Sequence, residues 1–361
     1  MCGLSVPAND SSVFSFKKIQ QAYLNCRRKK RNTINALRFE FNVADNLLNL
    51  ERELNDKTYY PSRSILFAVC KPKHREIFAA DFRDRVVHHF LVEYLERIFE
   101  PIFIHDSYAC RKDRGTHAAV KRLQKFTRRI TANGRTRAYY LQLDIKDFFP
   151  SISKEILFEL ISRKVSDPNI LWLTKQVIFW DCTRSYVVRG EKSLLDRIPG
   201  HKSLFGKNNE RGLPIGNFTS QFFANVYLNE LDQFVKHTLK ARCYLRYVDD
   251  FVILSKDASE LSAWHARIEE LLSNRLKLRL HPKRRKLAPI SNGIDFLGYI
   301  TRPGYVLVRR RVVNNLKAKL KELHACPEKL KNSIASYLGH FKWANSYRLT
   351  KKLFSEKIHA L

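Results

Sequence analysis

An adjacent pair of aspartates, Asp249 and Asp250, interrupts a long hydrophobic pattern. Within residues 244–254 the pair has apolar, β-branched and aromatic residues on both sides. Each flank is typical of a strand, so the pattern predicts a β-hairpin with both carboxylates at its tip. Two neighbouring negative charges are unfavourable unless a cation neutralises them, and divalent cations prefer carboxylate oxygens. Taken alone, the pair is also typical of a solvated turn.

A second apolar strand, predicted at the start of residues 139–150, also ends in carboxylates. It delivers Asp144 and then Asp147 at its end. Only a folded sheet can bring this strand end next to the hairpin. Aspartates on neighbouring strands that hold two divalent metals about 3.5–4 Å apart are the arrangement of polymerases, in which one metal activates a 3′-hydroxyl and the other holds the triphosphate. The two segments together therefore predict a two-metal site for nucleotidyl transfer.

The other hydrophobic patterns predict a mixture of helices and short strands. Residues 184–211 are polar and glycine-containing, which predicts a mobile loop, and residues 293–300 are typical of one strand. Residues 305–361 are basic and helical in pattern. Apolar residues at helical spacing predict helices over residues 17–57, 155–180, 219–240 and 258–278. Thr219 or Ser220 is expected to cap the helix over 219–240.

The charge of the chain limits the class of its partner. Lys and Arg total 66 against 35 Asp and Glu, which gives a net charge of +31 and a pI near 10. Such an excess needs an anionic partner, and nucleic acid fits best because phosphate neutralisation releases counterions. A membrane surface is the competing partner, but no apolar run has the length of a membrane span. The basic run at residues 27–31 fits either a solvated helix face or contact with a nucleic-acid backbone.

Cysteine usage and the N-terminal segment indicate the compartment. The seven cysteines are scattered and form no C-x-x-C pair, which predicts buried thiols in a reducing compartment and no zinc site. Residues 1–16 lack the apolar core of a signal peptide. We therefore expect a cytoplasmic protein.

Three segments in order resemble the palm motifs of reverse transcriptases. They are Leu-Asp-Ile-Lys-Asp-Phe-Phe-Pro at 143–150, Gly-Leu-Pro-Ile-Gly-Asn-Phe-Thr-Ser-Gln at 212–221 and Tyr-Val-Asp-Asp at 247–250. The resemblance implies an α+β right-hand polymerase encoded by a bacterium or a phage. Its implied parts are an N-terminal basic helical region over 1–63, fingers over 64–139, a palm over 140–300 with a fingers insertion at about 155–211, and a thumb over 301–361.

The resemblance also implies roles for individual residues. Asp144, Asp249 and Asp250 are the implied catalytic residues, and with the main-chain carbonyl of Ile145 they would bind two Mg²⁺ ions, with Mn²⁺ as the alternative metal. Phe149 would exclude a 2′-hydroxyl, unless it packs in the core. Lys283 or Lys286 would be the general acid, since a lysine can release a proton at the leaving pyrophosphate. The implied nucleotide-binding residues are Arg111, Arg114, Phe149, Ile215, Gly216 and Gln221, although the two arginines would serve equally in simple ion pairs.

The segment at 213–221 indicates a particular type of reverse transcriptase. Its Leu-Pro-Ile-Gly-Asn-x-Thr-Ser-Gln pattern resembles reverse transcriptases of diversity-generating retroelements. That resemblance implies a template RNA, dNTPs, a cDNA in an RNA–DNA hybrid, errors at adenines and a small basic oligomeric accessory protein. A retron, group II intron or defence enzyme is the first alternative. The second, from another class, is an RNA-binding protein with an inactive polymerase fold, which the intact set of three aspartates argues against.

Overall fold

Helices and antiparallel strands alternate through the described chain. The computed structural model describes residues 12–28, 33–70, 73–322 and 327–355. In these ranges no helix has the length and apolar character needed to cross a membrane. The helices are α1 (Phe16–Arg27), α2 (Ile34–Phe41), α3 (Val43–Asn55), α4 (Phe82–Phe99), α5 (Thr116–Ile130), α6 (Phe148–Ser151), α7 (Lys154–Ser162), α8 (Pro168–Phe179), α9 (Ser193–Asp196), α10 (Phe218–Gln233), α11 (Ala258–Asn274), α12 (Arg310–Glu322), α13 (Pro327–Phe341) and α14 (Tyr347–Ser355). The strands are β1 (Ser64–Val69), β2 (Arg75–Ala79), β3 (Tyr139–Asp144), β4 (Tyr186–Val188), β5 (Cys243–Tyr247), β6 (Asp250–Ser255), β7 (Lys286–Pro289), β8 (Ile294–Phe296), β9 (Tyr299–Thr301) and β10 (Val306–Val308).

Short polar side chains fix where several helices begin. The carboxylate of Asp81 accepts a hydrogen bond from the main-chain N–H of Arg83 at 3.2 Å at the start of α4. Ser153 caps α7 by accepting a hydrogen bond from the main-chain N–H of Ile156, three residues further on. Asp167 caps α8 in the same way, and Pro168 occupies the first turn, where its missing N–H costs nothing.

The chain forms two compact units. Unit 1 consists of the described residues up to Ile104 together with Lys146–Leu231 and Leu271–Arg279. It contains a three-stranded sheet in the order β2-β1-β4, in which β1 is antiparallel to β2 and parallel to β4. The sheet packs on a small buried core that includes Leu66, Phe78 and Cys182.

Unit 2 consists of His105–Ile145, Asp232–Glu270 and the described residues from Leu280 onward. Its main sheet has four antiparallel strands in the order β5-β6-β3-β7, and β8, β9 and β10 form a second antiparallel sheet. Alternate side chains of the main sheet, including Tyr140 and Val252, join a buried core with Leu123 and Phe126 of α5. Leu316 of α12 and Phe341 of α13 centre another core beyond the sheets.

Several predicted elements are wrong in extent. The predicted helix over 17–57 is three helices in its described part, while residues 29–31 of the basic run lie outside the description. The predicted loop at 184–211 contains β4, α9 and a 3-10 turn, because β4 pairs with β1. The predicted strand at 293–300 is the hairpin of β8 and β9, with positive φ at Leu297 and Gly298 in its turn. Thr219 and Ser220 lie inside α10 and are buried rather than capping it.

Unit 1 contains a buried lysine. Lys154, at the start of α7, is 3% exposed, and its ammonium donates hydrogen bonds to Asn209 Oδ1 and to the carbonyl of Trp180. Burial lowers the pKa of Lys154 to about 8, against the opposing influence of Cys182 and Asp181. The neutral amine is therefore favoured in the folded chain far more than in the unfolded chain.

This pKa predicts a pH-dependent contribution to stability. The unfolded chain binds more protons than the folded chain between pH 8 and about 10.5, so the contribution of Lys154 should rise with pH across that window. We expect Lys154→Met to be more stable than the wild type at pH 7.5 and to lose part of that advantage by pH 9.5. Urea unfolding of both proteins at the two pH values measures this difference. A difference that does not change with pH would contradict the assignment.

Candidate active site

Strand pairing in unit 2 brings together the three predicted catalytic carboxylates. Asp144, the last residue of β3, lies directly opposite Asp250, the first residue of β6. Asp249 occupies the turn between β5 and β6, and its carbonyl accepts a hydrogen bond from the N–H of Ile145 at 3.3 Å. Directly opposed side chains have Cβ atoms about 4.5–5.5 Å apart. The predicted hairpin, with its carboxylates at the tip, is confirmed.

The electrostatics of this site show an excess of negative charge. Burial, together with the charges of Asp144 and Asp249, raises the pKa of Asp250 to about 7. A hydrogen bond from Gln142 and the positive charge of Arg284 act in the opposite direction. A carboxylate whose charged form is disfavoured in this way gains stability from any cation placed beside it.

The oxygen atoms of this site are of the chemical type that binds divalent metals. Carboxylate oxygens, with a main-chain carbonyl available at Ile145, are the ligands that Mg²⁺ takes. In the described ranges, however, no group of three or more His, Cys, Asp or Glu side chains is already arranged as a metal cluster. Arg284 donates instead to Asp144 Oδ2 at 2.6 Å. Binding of metal by all three aspartates thus stays a prediction.

Gln142 is a site residue that the sequence analysis missed. Its side-chain amide donates to both carboxylate oxygens of Asp250, at 3.1 and 3.4 Å, and to the carbonyl of Asp295 at 3.2 Å. Gln142 therefore fixes the orientation of one of the paired carboxylates. The available signal was its position: it lies two residues before Asp144, so both side chains leave β3 on the same face, and its neighbours Leu141 and Leu143 are apolar.

A buried ion pair stabilises the turn between β5 and β6 that contains Asp249. Arg246 is fully buried and binds Asp232 with two hydrogen bonds, Nε to Oδ1 at 2.8 Å and Nη2 to Oδ2 at 2.6 Å. It also donates to the carbonyl of Val248 at 3.0 Å and to Ser107 Oγ at 3.1 Å. Val248 has a φ of 55°, which is unfavourable for a β-branched residue. The ion pair therefore holds a strained turn next to Asp249.

The other candidates of unit 2 lie in two segments, the loop before α5 and residues 283–286 at the start of β7. Arg111 donates to the carbonyl of Ser107 at 3.0 Å, and Arg114 lies 3.1 Å from a ring nitrogen of His105. Lys283 is exposed, and its main-chain N–H donates to His281. Lys286 begins β7 and is exposed, with its ammonium 5.7 Å from the ring centre of Tyr140. Of this basic segment, Arg284 rather than a lysine contacts a carboxylate.

Phe149, Ile215, Gly216 and Gln221 lie in unit 1. Phe148 is buried while Phe149 is half-buried, so Phe148 is the residue that packs in the core. The carbonyl of Ile215 accepts from the N–H of Phe78 in β2 at 3.0 Å. Gly216 has a φ of 122°, and a Cβ there would lie 2.7 Å from Ile77. Nucleotide binding by these four residues, and by Arg111 and Arg114 of unit 2, stays a prediction.

Comparison with known proteins adds a family and a fold. A family model described as reverse transcriptase (RNA-dependent DNA polymerase) matches residues 69–301. Protein YkfC of Escherichia coli K12 is 24% identical over 347 residues, covering 86% of this chain and 83% of YkfC. Group II intron-encoded protein LtrA of Lactococcus lactis subsp. cremoris is also 24% identical, over 75% of this chain, and the chain spans about half of LtrA (51%).

A solved structure matches the fold at low sequence identity. Apo telomerase from Candida tropicalis, truncated from its C-terminal domain, aligns with a TM-score of 0.50 and 12% identity. The alignment covers 68% of this chain and 55% of the telomerase. Together with the mixture of helices and antiparallel sheets, it confirms the predicted α+β right-hand polymerase fold.

The buried ion pair generates a test of stability. Arg246→Met leaves Asp232 buried without its cation, and breaking a buried pair in this way costs about 3–5 kcal/mol. We expect urea unfolding to show a loss of that size for the single variant. The double variant Arg246→Met/Asp232→Leu should recover much of it, because no buried charge then lacks a partner. A single variant as stable as the double variant would contradict this account.

Proposed function

Because the chain belongs to the reverse transcriptase (RNA-dependent DNA polymerase) family, we propose that unit 2 holds the site at which it copies template RNA into cDNA. The observation that carries the proposal is the direct opposition of Asp144 and Asp250, with Asp249 in the adjoining turn. The raised pKa of Asp250, caused first by burial, supports it, since a divalent metal relieves that cost. An inactive RNA-binding protein has no need of these three carboxylates.

Each residue of the site has a defined task in this proposal. Asp144, Asp249, Asp250 and the carbonyl of Ile145 would hold the metals. Mg²⁺, or Mn²⁺ in its place, would supply Lewis acidity toward the 3′-hydroxyl of the primer and positive charge toward the triphosphate. Gln142 orients Asp250 through its two hydrogen bonds. The guanidinium groups of Arg111 and Arg114 are the candidates to bind the phosphate oxygens of the nucleotide. Lys283 and Lys286 are the candidates to protonate the leaving pyrophosphate.

We assign the enzyme to the diversity-generating retroelement type on the segment at 213–221. Its template would then be a repeat RNA, copied with errors at adenines for mutagenic retrohoming. A small basic accessory protein would be its partner. The similarity to LtrA favours a group II intron-like enzyme as the second candidate. The flanking DNA separates the two: a near-duplicate repeat pair that differs at adenines belongs to the first, and a neighbouring intron RNA belongs to the second.

The metal-binding role of the aspartates predicts a separation of activity from folding. Changing Asp250 to Asn should lower the rate of primer extension on the order of a thousandfold or more, because charge stabilisation in the transition state is lost. The amide can still accept the hydrogen bond from Gln142, and it removes a buried like charge, so the urea midpoint at pH 8 should not fall. Asp144→Asn and Asp249→Asn should likewise abolish synthesis.

The matched control is Asp257→Asn, which makes the same change of charge at an exposed position before α11. It should extend primers at the wild-type rate. All variants should bind template RNA with an affinity close to that of the wild type. Extension at the wild-type rate by any of the three site variants would refute the assignment.

Ile215 carries a prediction about fidelity. Many relatives place a Gln here, and Ile can neither donate nor accept the hydrogen bonds with which an amide would restrain the nascent base pair. Loss of such bonds weakens discrimination by about 1–3 kcal/mol when a buried polar partner is involved. We expect Ile215→Gln to reduce errors opposite adenine in cDNA sequenced from an adenine-rich template. The isosteric control is Ile215→Leu, which should leave the error spectrum unchanged.

An unchanged adenine error spectrum in an active Ile215→Gln enzyme would contradict this role. The main-chain bond from Phe78 to the Ile215 carbonyl does not depend on the side chain, so the substitution leaves this local fold in place.

A further inference from the structure

Unit 1 contains a cavity that the polymerase site does not use. Its volume is about 500 Å³, and three separate segments contribute its lining. Among the described residues that line it, Asp147 carries the one carboxylate, and that carboxylate lies 3.7 Å from His201 Nε2. We call this feature the basic cavity after the five cationic side chains in its lining: Lys146, Lys207, Arg211, Lys277 and Arg279.

The five cations are exposed and lack ion-pair partners within the described chain. Like charges gathered around one cavity repel each other, and the net charge of +31 adds to that repulsion. Surface lysines and arginines usually occur with acidic neighbours that offset this cost. An anion bound in the basic cavity would reduce the repulsion among the five cations directly.

Main-chain hydrogen bonds hold the cavity walls together. The N–H of Lys146 donates to the carbonyl of Arg279 at 2.9 Å, which joins two of the three segments. Arg211 forms a β-bridge with Ser153, and the next N–H, that of Gly212, donates to the carbonyl of Ile152 at 2.8 Å. Gly212 has a φ of 96°, and a Cβ there would lie 2.5 Å from a methyl group of Leu204. The cationic side chains thus project from a backbone that is already in place.

The lining indicates which anion fits. It contains no Phe, Tyr or Trp side chain on which a base could stack, and Leu278 is its one aliphatic member in the described lining. Its one imidazole, that of His201, lies beside the carboxylate of Asp147. Ser151, Ser273 and Asn274 supply neutral hydrogen-bonding groups between the cations. Such a surface suits phosphates and ribose hydroxyls rather than bases. A single small phosphate can contact only some of five cations that come from three segments, whereas successive phosphates of one strand can contact them all.

We propose that the basic cavity binds the sugar–phosphate backbone of a single RNA strand, independently of sequence. The proposal rests on the proposed function in taking template RNA as the ligand. It assigns to residues 201–211 and 273–279 a binding role in addition to their structural one. The RNA bound here is held through its backbone, so its bases stay unread by the cavity.

The test measures RNA binding by the full chain in the absence of dNTPs. Fluorescence anisotropy with a labelled oligouridylate gives the affinity over a range of salt concentrations. Lys207→Ala/Lys277→Ala should weaken binding at least tenfold at 0.1 M salt, and should lower the slope of log K against log salt by about 1.4, or about 0.7 for each lost phosphate contact on a single strand.

The matched control is Lys164→Ala/Lys192→Ala. These lysines are exposed, lie in unit 1 and outside the cavity lining, and their removal changes the net charge by the same amount. The control should lose less than twofold in affinity and keep the wild-type salt slope. An oligoadenylate should bind the wild type as tightly as the oligouridylate, since no base is read.

Two outcomes would overturn the proposal. Equal losses in the cavity and control variants would mean that net charge alone governs RNA binding. Unchanged RNA affinity in the cavity variant, with weaker inhibition of primer extension by pyrophosphate, would mean that the cavity binds a small polyphosphate. The comparison of RNA affinities does not depend on the polymerase assignment, because binding is measured without synthesis. A wild type that binds RNA in this way but extends no primer would refute the proposed function alone.

Discussion

The candidate active site depends on one interaction, the buried ion pair between Arg246 and Asp232. A fully buried guanidinium is tolerated only when its donors are satisfied, and here Asp232, Val248 and Ser107 accept from it. The same side chain thereby holds the carbonyl of a β-branched residue at positive φ. Without this support, the turn would relax toward a lower-energy conformation, and Asp249 would leave its place beside the paired aspartates. Stability and positioning are thus supplied by the same hydrogen bonds.

The paired carboxylates of this site repel each other. Strand register fixes Asp144 opposite Asp250, so the two carboxylates cannot separate without breaking the sheet. Gln142 and Arg284 reduce the repulsion without removing it, as the raised pKa of Asp250, caused first by burial, shows. The sheet hydrogen bonds therefore bear the cost of holding the two carboxylates next to each other.

The sequence predicted the parts of the fold that depend on local patterns. The hairpin at 244–254 and the strand before Asp144 follow from short apolar, β-branched and aromatic runs that end in carboxylates close in the chain. Residues 184–211 were not predicted, because β4 is held by pairing with distant β1 and by a core that includes Leu66. Gln142 and Asp232 were missed for a related reason. Their importance comes from partners on other strands and helices, which only the register and the burial of the folded chain identify.

The main-chain construction of the basic cavity has a consequence for evolution. Its shape depends on bonds such as that between the Lys146 N–H and the Arg279 carbonyl, which any side chain permits. Its charge depends on exposed side chains that the fold does not require for packing. Substitutions at Lys207 or Lys277 can therefore change the electrostatic potential of this surface in small steps, while selection on folding leaves them alone. A lineage can therefore tune the positive charge of this surface without first acquiring stabilising mutations elsewhere.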